Sequence, residues 1–190
     1  MSGEEFHVHG PHDHALEHAE HGGDGFTSRL AVMTAILSTV GALFGYMAGA
    51  TQNEALLHKN SAGIKKTEAS DTWNRYQSKS NKQNLAELAA GLSDGERKRH
   101  YEDEVARYKS EKEDIKKDAE ALEAEVKAFD QQSDEAMHLH HRWAQAMTAV
   151  QIAISLAAIT LLTNKRWLYW GSLGVAGLGT ALAVAALLAR

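Results

Sequence analysis

The sequence has no cysteine and a single proline, Pro11. Without cysteine there is no disulfide scaffold, no thiolate metal site and no thiol nucleophile. The 179 residues after Pro11 contain no proline, and glycine and asparagine gather in a few clusters. An all-β chain needs many turns, and little here could build them. Asp, Glu, Lys, Arg and His are missing from three long apolar runs. Ionisable groups inside a bilayer mark most ion and proton pathways, so their absence weighs against an autonomous pump or proton-coupled transporter. It leaves open a pore made by several copies. No nucleophile elbow, phosphate loop, Rossmann fingerprint or kinase signature appears, so no enzyme is expected. A net charge of −5 makes no general case for nucleic-acid binding.

What is present is segregated. Apolar residues make up 44% of the chain, yet the mean hydropathy is −0.38. Residues 1–28 read as a disordered, His-rich acidic tail, with too few large apolar residues for a core. It is not expected to be a signal peptide. Residues 29–50, 144–163 and 167–189 are each long enough and apolar enough for a membrane-spanning helix, which needs about 20 residues. Trp143, Trp167, Tyr169 and Trp170 stand at run ends, where amphipathic rings favour the headgroup zone. Asn164, Lys165 and Arg166 leave room only for a tight connection between the last two spans.

Residues 51–143 carry 16 Lys or Arg and 19 Asp or Glu. From Tyr101 two apolar-rich columns can be followed. One is Tyr101, Tyr108, Ile115, Leu122, Phe129, Ala136, Trp143 and Val150; the other is Val105, Lys112, Ala119, Val126, Ser133, His140, Met147 and Ile154. The spacing alternates four and three, which is coiled-coil periodicity. It passes into the second apolar run without changing phase, so one continuous helix is expected from Gly95 to Thr163. Asp103–Arg107, Glu113–Lys117 and Glu123–Lys127 have the favourable i,i+4 order. The first arm is less regular, with Leu57, Ile64, Trp73, Tyr76, Leu85, Leu88 and Leu92 as its apolar positions. A turn near 91–95 is marked by Gly91, suited to the left-handed residue after a helix, and by the capping-box spacing of Ser93 and Glu96. The fold class expected is therefore an all-α membrane protein: three transmembrane helices, with a long antiparallel coiled-coil-like hairpin between the first and second. An arm of about 40 residues would project about 60 Å.

Folding the chain about residue 93 sets Ile64 against Leu122, Leu57 against Phe129 and Trp73 against Lys112. A cation–π contact would then account for a lysine in the seam, and a lysine that snorkels out of it would account for it equally. The arms are unequal, which implies either a break in the first, with Gly63 the candidate, or tilted or offset spans. In the spans, small residues recur every four positions at Gly41, Gly45 and Gly49, at Ala149, Ala153 and Ala157, and at Gly177, Ala181, Ala185 and Ala189. Such stripes let helix backbones approach closely, within one chain or between copies.

His7, His9, His12, His14, His18 and His21 could offer imidazoles to a divalent metal, although a solvated polar tail explains them as well. Glu54, His58, Asp134, His138, His140 and His141 cluster at the ends of the charged segment, but the heptad phase puts them on different faces. Arg97, Lys98, Arg99 and His100 oppose the macrodipole in the first turns of the second arm, so they are candidates for an anionic partner contact as well as a solvated charge run. Orientation is divided. Lys59, Lys65, Lys66, Lys127, Arg142 and Arg190 lean the hairpin toward the cytoplasm, whereas Arg29, Lys165 and Arg166 lean the other way. A loop this long also weakens the positive-inside rule.

The order of these parts resembles a known family. Asn53-Glu54-Ala55-Leu56 is followed by Ser70-Asp71-Thr72-Trp73-Asn74-Arg75-Tyr76-Gln77-Ser78-Lys79-Ser80, between a first span and two closely spaced later ones. This is similar to the bacterial membrane family called domain of unknown function 4337, over nearly the whole chain. The resemblance implies an inner-membrane protein of three spans with a helical insert, and it carries over no catalytic residue. The function expected is a non-enzymatic scaffold or accessory protein that self-associates through its spans and presents the hairpin to a protein partner. The rivals are a metal-binding or metal-responsive protein using the His-rich tail, and a subunit of an oligomeric channel.

Overall fold

The computed structural model describes residues 25–188, which form three α-helices and no strand. Helix α1 is Gly25–Gly91, α2 is Gly95–Thr163 and α3 is Arg166–Leu188. The N-terminal histidines lie outside the described residues. Helix α2 is one uninterrupted element, as its constant heptad phase requires, and all sixteen column positions from Tyr101 to Ile154 are buried or half-buried. Helix α1 is equally continuous. It runs through Gly63, so the break given as one of two ways to absorb the unequal arms does not occur.

The connection after α1 differs in detail from expectation. Helix α1 runs through Gly91 and closes with Leu92 N–H donating to the Leu88 carbonyl at 3.1 Å. The left-handed residue is Gly95, with φ of 60°, at the start of α2 rather than Gly91 at the end of α1. Asp94, not Ser93, therefore immediately precedes the second helix. The other connection is equally short. Asn164 takes a φ of 54° and donates its N–H to the Thr160 carbonyl at 2.9 Å. Asparagine tolerates this left-handed conformation better than most residues, so the chain can reverse within two positions.

The chain divides into two compact units. One, the arm unit, is Asn53–Ala136; the other, the span unit, is built from the chain on either side of it. In the arm unit, Lys59 pairs with Asp130 at 2.8 Å, Lys65 with Glu125 at 3.0 Å, and Lys79 with Glu111. Each α2 partner lies about one turn further along than a fold centred on residue 93 would place it. In the span unit, Ala48, Trp143, Ala146, Ala183 and Ala186 make the core, with Phe44, Met47 and Leu182 packed against it. Trp143 is thus 5% exposed, with its ring 5.6 Å from Phe44, and belongs to this core rather than to the exposed rings at run ends. Trp167 and Trp170 remain exposed.

Candidate functional site

The inner face of α1 in the arm unit is alanine. Ala55, Ala62 and Ala69 are buried, while Leu57 and Ile64 are 67% and 61% exposed on the opposite side. Leu85, Leu88 and Leu92 also face outward. Two residues along a helix are about 200° around it, so the Leu57 and Ala55 columns lie back to back. The expected contacts of Leu57 with Phe129 and Ile64 with Leu122 are therefore replaced, and the His58 ring stacks on Phe129 at 6.2 Å. The missed signal was a seven-residue repeat of small side chains: Gly41, Ala48, Ala55, Ala62 and Ala69 are all buried. Size is the reason. Ile115, Leu122 and Phe129 already fill the α2 side, so a short residue opposite lets the backbones close up.

Lys112 is accommodated by Tyr76 and not by Trp73. Its Nζ lies 5.1 Å from the Tyr76 ring centroid and donates to Gln83 Oε1 at 3.1 Å. Trp73 meets Tyr76 edge-on and donates its Nε1–H to Glu123 at 2.8 Å. The cation–π contact exists with a different aromatic partner, as the one-turn shift in pairing requires. Tyr108 takes Lys79 and Arg107 over its ring at 5.4 and 4.9 Å. None of the three i,i+4 pairs expected on α2 forms. Arg107 instead bonds Glu104 at 2.7 Å, and Lys117 approaches Asp114 at 3.8 Å, since several carboxylates lie within reach of each cation. Hydrogen bonding to Asp130 holds the Lys59 ammonium above its usual range, and Glu125 with Glu68 does the same for Lys65. The Lys79 hydrogen bond holds the Glu111 carboxyl below its usual range. Arg97, Lys98 and Arg99 are exposed.

The three small-residue stripes of the spans have different fates. Ala149, Ala153 and Ala157 are buried, and the Ala153 carbonyl accepts from Ser172 Oγ at 2.7 Å. A Cβ on Gly41 would lie 3.2 Å from Val150 Cγ1, and one on Gly45 3.3 Å from Met147 Sδ, whereas one on Gly49 would meet nothing within 4 Å. On α3 the expected stripe faces away: Gly177, Ala181 and Ala185 are exposed. The packed face is Ser172, Ala176, Gly179, Ala183 and Ala186. Gly179 decides it, because a Cβ there would stand 3.1 Å from the Ala146 carbonyl oxygen. Helix α3 carries two small faces, and periodicity alone does not rank them.

The family model of the domain of unknown function DUF4337 matches residues 26–189. The chain belongs to this family. No curated protein and no solved structure matches it.

The histidines near the ends of the charged segment of this DUF4337 member each have their own surroundings. His140 Nδ1 is 2.9 Å from the Ala48 carbonyl, His58 is stacked on Phe129, and Glu54, Asp134, His138 and His141 are exposed. Among the described residues no group of three or more His, Asp or Glu is placed to hold a metal. The tail candidates His7, His9, His12, His14, His18 and His21, and Ala189 of the α3 stripe, lie outside the described residues. Trp73 and Val126 border a groove of about 440 Å³ in the arm unit.

Proposed function

We propose that this DUF4337 protein is an integral membrane scaffold or accessory protein without enzymatic activity. The N-terminal part of α1, the C-terminal part of α2 and all of α3 would cross the bilayer. Residues 51–143 would form an antiparallel helical hairpin in water that presents its polar surface to a protein partner. One observation carries the membrane reading. The apolar stretches of all three helices keep most of their surface outside the protein core, with Ile36, Leu43, Leu162 and Leu178 each more than half exposed. Apolar area on this scale is costly in water and is satisfied by lipid. The opposed pairs Lys59–Asp130, Lys65–Glu125 and Lys79–Glu111 support the hairpin, since the α2 partner moves toward the turn as the α1 residue does. The exposed Gly177, Ala181 and Ala185 and the groove at Gly41 and Gly45 leave small-residue surface for self-association.

The bacterial inner membrane is the expected location, with the hairpin on the cytoplasmic side. Carbonate extraction of membranes tests insertion, and release of the protein into the supernatant would end this reading. Single cysteines at Lys98 and Lys165, probed with a membrane-impermeant maleimide, test the topology. The two are expected to label from opposite sides of the membrane.

A further inference from the structure

Nine serines and threonines lie inside the three apolar stretches. Seven donate to the carbonyl one turn back, Thr34 to Leu30 and Thr148 to Ala144 among them. Ser172 donates to Ala153. Ser38 is the ninth, and its Oγ is shielded from solvent with no hydrogen-bond partner. Gln151 is the strongly polar residue in the interior of the second stretch. It is exposed, and its amide makes no hydrogen bond among the described residues. Ser38 and Gln151 line the same groove of about 420 Å³, whose floor includes Gly41 and Gly45. The Gln151 amide nitrogen is 3.5 Å from where a Cβ on Gly41 would stand, so the amide lies beside the glycine face.

A lipid chain offers neither a donor nor an acceptor, and a polar group left unsatisfied in hydrocarbon is costly. A primary amide offers both. Two copies related by a two-fold axis can therefore satisfy one another with the same side chain, as an isologous interface demands. The glycine floor admits a close helix approach. By contrast, Thr180, the threonine beside the exposed α3 stripe, is already paired, donating to the Ala176 carbonyl.

We propose that a second copy of this chain docks on this groove about a two-fold axis. The Gln151 amides bond each other across the interface, beside Ser38. The proposal rests on the membrane-spanning reading of α1 and α2, and it assigns self-association to one face.

The chain has no cysteine, so single cysteines report contacts without background. The full-length protein, reconstituted in vesicles, is oxidised as Ala42→Cys in the groove and as Ala181→Cys on the α3 stripe. Disulfide dimers are expected from Ala42→Cys and not from Ala181→Cys. Adding Gln151→Leu should weaken dimerisation about tenfold, about 1.4 kcal/mol, with helix content unchanged, while Gln151→Asn should keep most of it. Dimers from Ala181→Cys alone, or dimers indifferent to Gln151→Leu, overturn the proposal. A carbonate-resistant protein that crosslinks at neither position overturns it and the self-association while leaving the spans intact. A carbonate-released protein overturns the spans as well.

Discussion

In the arm unit, α1 turns Ala55, Ala62 and Ala69 inward and carries cations along its edges, bonded to carboxylates on α2. In the span unit the inward residues are again small, Gly41, Ala48, Ala153 and Gly179, but the polar contacts change in kind. Ser172 and His140 bond backbone carbonyls, and no ion pair is recorded among the described residues there. Both units bring helices close with short side chains. They differ in what borders the seam. Exposed ion pairs contribute little and are screened by salt, so the arm unit depends on a half-filled apolar seam with polar edges. The span unit depends on close packing around one tryptophan.

The sharpest test of this contrast uses one residue type in both places. Trp143→Ala should destabilise the span unit by about 3–5 kcal/mol, the usual cost of emptying a buried aromatic site. Trp73→Ala, at a half-buried site, should cost clearly less. Thermal unfolding in detergent followed by circular dichroism reads both, and equal losses would erase the distinction. Next in size, Ala62→Leu should overpack the arm seam by about 1–3 kcal/mol. Leu57→Ser, on the opposite face, should leave stability nearly unchanged. The reverse ranking would mean that the leucine column faces α2 after all. A smaller effect of opposite sign is expected at Gly63, where a Cβ would meet nothing within 4 Å. Gly63→Ala should stabilise α1 by about 0.5–1 kcal/mol through helix propensity.

The smallest effect follows pH. The Glu111 carboxyl is held below its usual range, so its contribution is present above the unfolded carboxylate value of about 4.3 and is lost as pH falls through the folded value. The Lys59 and Lys65 ammoniums are held above their usual range. Their contribution is complete below about 10.4 and is lost as pH rises through the folded values. Unfolding midpoints should therefore dip mildly at both extremes and stay level near neutrality. Lys79→Met should flatten the acid side, and an undiminished acid dip in that variant would assign it to other carboxylates.

Much of this was readable from residue order. The phase of the Tyr101–Ile154 columns foretold one helix through Thr163, because a heptad repeat that never skips gives no place for a bend. The cation–π environment of Lys112 was one of two readings open, since a lysine in a seam needs an aromatic ring or a way out. Its partner was not foreseen, because a shift of one turn preserves the heptad phase and exchanges Trp73 for Tyr76. The α3 face was missed for a similar reason. Gly177 and Gly179 each belong to a small-residue stripe, and it is Gly179 that meets the Ala146 carbonyl.

Composition and spacing by themselves determined that this chain is helical, that its helices are long, and that charge is kept out of three apolar stretches. These are local properties, set by the absence of proline after Pro11 and by the three-and-four rhythm of apolar residues. Which face of each helix turns inward was decided only in the tertiary structure. Side-chain volume on one helix must match the gap left by another, and that condition involves residues far apart in the chain. Thus alanine rather than leucine lines the arm, and Gly179 rather than Gly177 meets α2.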